Sequence, residues 1–191
     1  MRRRTLLGAA AASMASLSGC LGATEYTVTD VRVGQSSAPV GLDVSITEPN
    51  AVIEHPARLE FTVTNQGEAP IRVRNTGIWP FGLLELVPSL ETEEAGGTLL
   101  WTSRYEESQY VDATSRSNYG TEDTPLIHTL EPGGTASETY ELHGDDIRGA
   151  GTRYVRGEFE PPILEYSTQE SEAWQSFLPE VTVTLEKTGH L

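Results

Sequence analysis

Leu59-Glu60-Phe61-Thr62-Val63-Thr64-Asn65-Gln66-Gly67 is the stretch that decides the fold class. Leu59, Phe61 and Val63 alternate with Glu60, Thr62 and Thr64, so an extended backbone puts large apolar side chains on one face and polar ones on the other. Val, Thr and Phe also suit a pleated surface better than a helical turn. The run stops at Asn65-Gln66-Gly67-Glu68-Ala69-Pro70, a cluster of turn formers. A half-buried strand that ends in a tight reversal is a unit of an antiparallel sheet.

The same period of two recurs in both directions along the chain. Leu42, Val44 and Ile46 alternate with Asp43, Ser45 and Thr47; Val181, Val183 and Leu185 alternate with Thr182, Thr184 and Glu186. Further strands are expected at Thr27–Val33, Ile71–Asn75, Leu83–Val87, Thr98–Ser103, Pro125–Leu130, Ala136–Leu142 and Thr152–Phe159. Turns are expected at Glu131-Pro132-Gly133-Gly134 and at Gly144-Asp145-Asp146. No stretch carries a helical period beyond a short turn expected near Asp145–Arg148. Ser89–Gly97, Glu106–Thr124 and Pro161–Ser176 read as irregular insertions. About eight to ten short strands imply one all-β domain over residues 25–191, an antiparallel two-sheet sandwich.

Ahead of that domain, residues 1–19 read as an export signal. Arg2-Arg3-Arg4 forms a basic start, and Leu6 to Leu17 is an apolar, Ala-rich run shorter than the roughly 20 residues of a spanning helix. Consecutive Arg before Leu6-Leu7 resembles a twin-arginine signal. Leu17-Ser18-Gly19-Cys20 resembles the lipobox of bacterial and archaeal lipoproteins. That resemblance implies cleavage before Cys20, a lipid on its thiol, and a location on the outer face of the cell membrane. Cys20 is the only Cys, so no disulfide can form within the domain. Residues 20–24 then form the anchor and tether, and Leu21 to Thr24 span at most about 14 Å.

Charge narrows the possible partners. The formal net charge is −15, and residues 21–191 carry ten basic against 28 acidic side chains, −18. Twelve of the basic residues are Arg and one, Lys187, is Lys; Glu outnumbers Asp 22 to 6. Nucleic acid and anionic lipid surfaces are poor partners for such a field. Abundant acid with scarce Lys resembles the composition of proteins from salt-loving archaea, whose surroundings screen the self-repulsion.

From about Arg58 to Glu186 the order of features resembles the BsuPI-like proteinase-inhibitor family. The matching pieces are Phe61–Gly67 with Pro70, Leu100-Trp101-Thr102-Ser103, Leu130-Glu131-Pro132-Gly133-Gly134 with Tyr140, and Gly151–Glu158 leading to Val181–Glu186. The resemblance implies an immunoglobulin-like sandwich with Trp101 in its core. It also implies an alternative function, inhibition of secreted proteases, for which Glu106–Thr124 is the candidate loop.

No catalytic constellation stands out. His55, His128, His143 and His190 are scattered without zinc-ligand spacing, and no Gly-x-Ser-x-Gly or phosphate-cradling loop occurs. The acid pairs, Asp145/Asp146 among them, lack the frame of a calcium loop. The expectation is therefore no catalytic residue, no metal and no cofactor. Two aromatic groups are candidate contact surfaces. Trp79 and Phe81 lie in Ile78-Trp79-Pro80-Phe81-Gly82, which can be an exposed loop or a core plug. Tyr105, Tyr110 and Tyr119 lie on a segment that can present them or fold back. The expected function is a non-enzymatic binding or structural module of the envelope, anchored through Cys20, whose partner is an envelope protein or a small ligand.

The charge count generates a test. At about 0.01 M salt the Debye length of about 30 Å spans a whole domain, and at about 1 M it falls to about 3 Å. The chain from Leu21 onward should lose melting temperature steadily as potassium chloride is diluted from molar to millimolar, and recover it on re-addition. A flat melting temperature would contradict the salt-adapted reading.

Overall fold

Each alternating run is a strand in the computed structural model, which describes residues 25–91, 97–159, 162–171 and 173–188. In chain order the strands are β1 (Tyr26–Val33), β2 (Val40–Glu48), β3 (Asn50–Ala51), β4 (Ala57–Asn65), β5 (Ile71–Asn75), β6 (Leu84–Val87), β7 (Thr98–Leu100), β8 (Val111–Ser115), β9 (Asn118–Thr121), β10 (Leu126–Leu130), β11 (Thr135–Leu142), β12 (Gly151–Gly157), β13 (Leu164–Thr168), β14 (Gln175–Phe177) and β15 (Val181–Lys187). One short helix, α1 (Arg104–Glu107), precedes β8. The class is all-β and antiparallel, an immunoglobulin-like sandwich.

The largest sheet has the order β3-β1-β15-β12-β6-β7. A three-stranded sheet, β11-β4-β2, and a four-stranded one, β10-β5-β13-β14, share a single apolar core with it. Leu59, Phe61 and Val63 are fully buried, as their alternation requires, and so are Val181 and Val183. Phe61 meets Tyr140 edge to face at 5.4 Å and Phe81 at 5.8 Å. Trp101 is buried against Tyr105, with ring centroids 5.4 Å apart and planes nearly perpendicular, a favourable aromatic geometry.

Two local devices keep the pattern in register. In β1 simple alternation from Tyr26 and Val28 would send Asp30 and Arg32 into the core. A bulge between Val28 and Asp30 inserts one residue and turns Val31 and Val33 inward instead. Asp30 and Arg32 then pair on the outside at 2.7 Å. The second device is Asn65, which is fully buried. Here the paired strands β4 and β11 give way to β5 and β10, so both chain passes change sheet at one corner. The Asn65 side-chain amide donates to the carbonyls of Ala69 and Leu130, both at 2.9 Å, and its Oδ1 accepts from the Gly67 N–H. Its backbone N–H donates to Gly134 O, and its carbonyl accepts from Gly133 N–H. Gly133 holds φ +71°, the left-handed region in which glycine is not penalised.

The sequence expectations hold for the long strands and fail in the insertions. Fifteen strands form among the described residues, more than the eight to ten expected. Glu106–Thr124 is not irregular: it contains the end of α1 and the hairpin β8–β9. Of β8 only Val111 is buried, so no alternation betrays the hairpin. Pro161–Ser176 likewise contributes β13 and part of β14, which pair with each other. The strand expected over Thr98–Ser103 stops at Leu100, after which Trp101 makes one bridge to Glu141. The expected turn near Asp145 is present, with Asp146 N–H on His143 O at 3.1 Å.

Asn65→Ala tests the corner. It deprives the Ala69 and Leu130 carbonyls and the Gly67 N–H of their partner, and each buried group left unsatisfied costs about 1–3 kcal/mol. The expected loss is about 2–4 kcal/mol, read as a lower urea midpoint with an unchanged slope.

Candidate functional site

The export and lipidation residues expected from the sequence, Arg2, Arg3, Arg4, Leu17, Ser18, Gly19 and Cys20, lie outside the described residues. The aromatic candidates are described, and most belong to the body of the protein. Phe81 is 1% exposed and Tyr105 is fully buried, so neither is a contact surface. The reason is the backbone around them. Gly77 and Gly82 take φ of +76° and +67°, which folds Ile78–Phe81 back into the core. Both Tyr105 and Tyr140 then donate to the Gly82 carbonyl, at 3.4 and 2.8 Å. Trp79 is half-buried, stacks on His128 at 4.4 Å, and offers its carbonyl to Arg104 at 3.0 Å. Tyr110 and Tyr119 are half-buried on a hairpin that lies back against the sandwich.

That hairpin closes one side of a cleft of about 460 Å³. Its floor is built by β6 and β12. On β6, Leu84 and Leu86 face the core, so Glu85 between them points to the opposite face of the sheet. The neighbouring strand places Arg156 directly across, and its Nε donates to Glu85 Oε1 at 2.6 Å. Two residues along the same face comes Glu158, whose N–H extends the ladder to Leu83 O. From the hairpin, the Tyr119 hydroxyl donates to Glu158 Oε1 at 2.9 Å. Gly97 covers Glu85 so closely that a Cβ there would stand 2.0 Å from Oε2. Only glycine fits.

At the mouth, Arg116 on the hairpin reaches across to the turn after β11. Its Nε and Nη2 donate to Asp146 and Asp145 at 2.6 and 2.7 Å, and its Nη1 lies 3.2 Å from His143 Nδ1. The Asp145/Asp146 pair is thus the clasp of the hairpin. Phe159, 54% exposed, completes the rim beside Tyr119, with ring centroids 6.2 Å apart.

Electrostatics single out Glu158. Burial, and then the adjacent Glu85 through hydrogen bonding and charge, push its carboxyl up to about 7. Its Oε2 is shut off from solvent, which favours the neutral acid. Burial and the Glu158 carboxylate likewise raise the Tyr119 phenol above its usual range. The cleft therefore presents a carboxyl that changes protonation near neutrality, a second carboxyl group held by Arg156, a phenol and an exposed ring. Such a set can donate to and accept from a polar ligand.

Sequence reasoning found Tyr119 but missed Glu85, Glu158 and Arg116. One signal was available: Glu85 is the lone charge in Leu83-Leu84-Glu85-Leu86-Val87. The model of a family described as a domain of unknown function (DUF8130) matches residues 1–191, and the chain belongs to that family. No curated protein matches it.

The proton on Glu158 has a consequence for stability. A carboxyl raised in the folded state binds its proton more tightly there than in the unfolded chain. Its contribution is present below the ordinary carboxylate range and is lost as pH rises through about 7. Glu158→Gln keeps the acceptor for Tyr119 and removes the titration. The variant should melt higher than the parent at pH 8, with the difference shrinking to little by pH 5 in matched salt.

Proposed function

We propose that this member of the DUF8130 family is an exported, lipid-anchored and non-enzymatic module of the cell envelope, used for binding or for structure. The observation that carries this reading is the spacing between Cys20 and the first strand. β1 begins at Tyr26 and has partners on both sides from that residue, Ala51 of β3 and Lys187 of β15. The lipobox-like Leu17-Ser18-Gly19-Cys20 stands five residues ahead of that strand in the sequence. Such an arrangement suits a folded body carried out behind a twin-arginine-like signal and held close to the lipid.

The polar cleft between the hairpin and β6–β12 is the place for a small ligand or a partner side chain in this reading. It offers concavity, convergent donors and acceptors, and a titrating group. The strong negative charge favours a surface bathed in salt over one that engages polyanions.

The test is the anchor. Cys20→Ser should move the protein from the detergent-rich phase to the aqueous phase and from the membrane pellet to the medium. A Ser variant that partitions as the parent does would overturn the reading.

A further inference from the structure

We propose that the β3–β4 turn, with Ile53 at its tip, dips into the lipid interface and sets the domain upright on the membrane; this rests on the lipid-anchor reading above. The argument starts from register. β3 runs antiparallel to β1, with Thr27 opposite Asn50 and Tyr26 opposite Ala51. The chain after Ala51 therefore advances toward the side from which residues before Tyr26 enter. Val52 N–H donates to His55 O at 3.0 Å, which pinches the loop and leaves Ile53 and Glu54 at its tip. Ile53 is 73% exposed, more than any other large apolar side chain among the described residues.

The occupant follows from the length of chain outside the described residues. Four residues, Leu21 to Thr24, separate Cys20 from Glu25, a reach of at most about 14 Å. A lipid on Cys20 therefore holds this end of the sandwich against the bilayer. Charge agrees. The one lysine, Lys187, is exposed at the same end, paired with Tyr26, and the next residue, Thr188, donates its N–H to Glu25 O at 2.9 Å. An exposed aliphatic tip suits the acyl boundary, and Lys187, two strands away at the same end, suits headgroup phosphate. Glu25 and Glu54 flank the tip, and their need for water keeps the insertion shallow. The far end of β1 provides the contrast. Leu178 is 62% exposed there, close to the start of β15 at Val181, which pairs with Val33.

The experiment uses the full lipidated chain carrying Ile53→Cys or Leu178→Cys, labelled with an environment-sensitive thiol dye. The vesicles are of phosphatidylcholine, in molar potassium chloride. Both sites are exposed, so labelling leaves the core untouched. At position 53 the emission should shift to the blue on vesicles and be quenched by nitroxide lipids, while at 178 it should do neither. A chain that floats with vesicles while the label at 53 behaves as in water overturns the docking proposal alone. The unsubstituted chain separates the two readings, because a lipidated Cys20 takes no dye. If Cys20 labels and the chain does not float, the anchor reading fails and the docking proposal fails with it.

Discussion

One buried amide holds the architecture together. Asn65 sits where two paired chain segments leave one sheet and enter another, and every polar group exposed by that bend needs a partner away from water. Backbone groups alone cannot supply them, since a ladder is interrupted wherever strands change sheet. The Asn65 side chain supplies donors to Ala69 and Leu130 and an acceptor to Gly67. With the corner closed, β5 and β10 are placed so that Val73 and Leu130 add to the same core as Phe61 and Tyr140. Without it, the bend would keep its backbone bonds to Gly133 and Gly134 but leave two carbonyls and one N–H without their partner.

A second constraint is the scarcity of cations. In a chain of net charge −15, several of the arginines are committed to particular acids. Arg156 holds Glu85, Arg104 holds the buried Glu138, Arg74 holds Glu165 at 2.6 Å, and Arg116 spans Asp145 and Asp146. Arg72 and Arg74 also lie over the ring of Trp174, at 5.2 and 4.4 Å. A planar fork serves these roles where a lysine ammonium cannot. Arg32 and Arg58 likewise pair with Asp30 and Glu141, at 2.7 and 3.1 Å.

How much of this was legible depends on the range of the interaction. Alternation in Leu59–Val63, Leu42–Ile46 and Val181–Leu185 is local, and it yielded the strands and the fold class. The turn chemistry of Asn65-Gln66-Gly67 marked the reversal, though not the side-chain bonds that make it a corner. The bulge in β1 was hidden, because it shows only as a break between Val28 and Val31. Pro80 and Gly82 excluded a regular strand around Trp79 and Phe81, yet both exposure and burial fit that exclusion; the two left-handed glycines decided for burial. Glu85 was visible as a charge stranded in an apolar run, whereas Glu158, Gly97 and Tyr119 meet it only through the tertiary fold.

The placement of β1 between β3 and β15 also has a mechanical meaning. A pull on the chain ahead of Tyr26 runs along the strand axis, across hydrogen bonds that lie perpendicular to it. The ladder from Tyr26–Lys187 to Val33–Val181 is then loaded in shear, all rungs together, instead of being peeled one rung at a time. The bulge at Thr29 acts as a tooth in that ladder, since sliding β1 by one residue would drive Asp30 or Arg32 against the core. Drag on the body of the domain is thus carried by a seam that yields all at once or not at all.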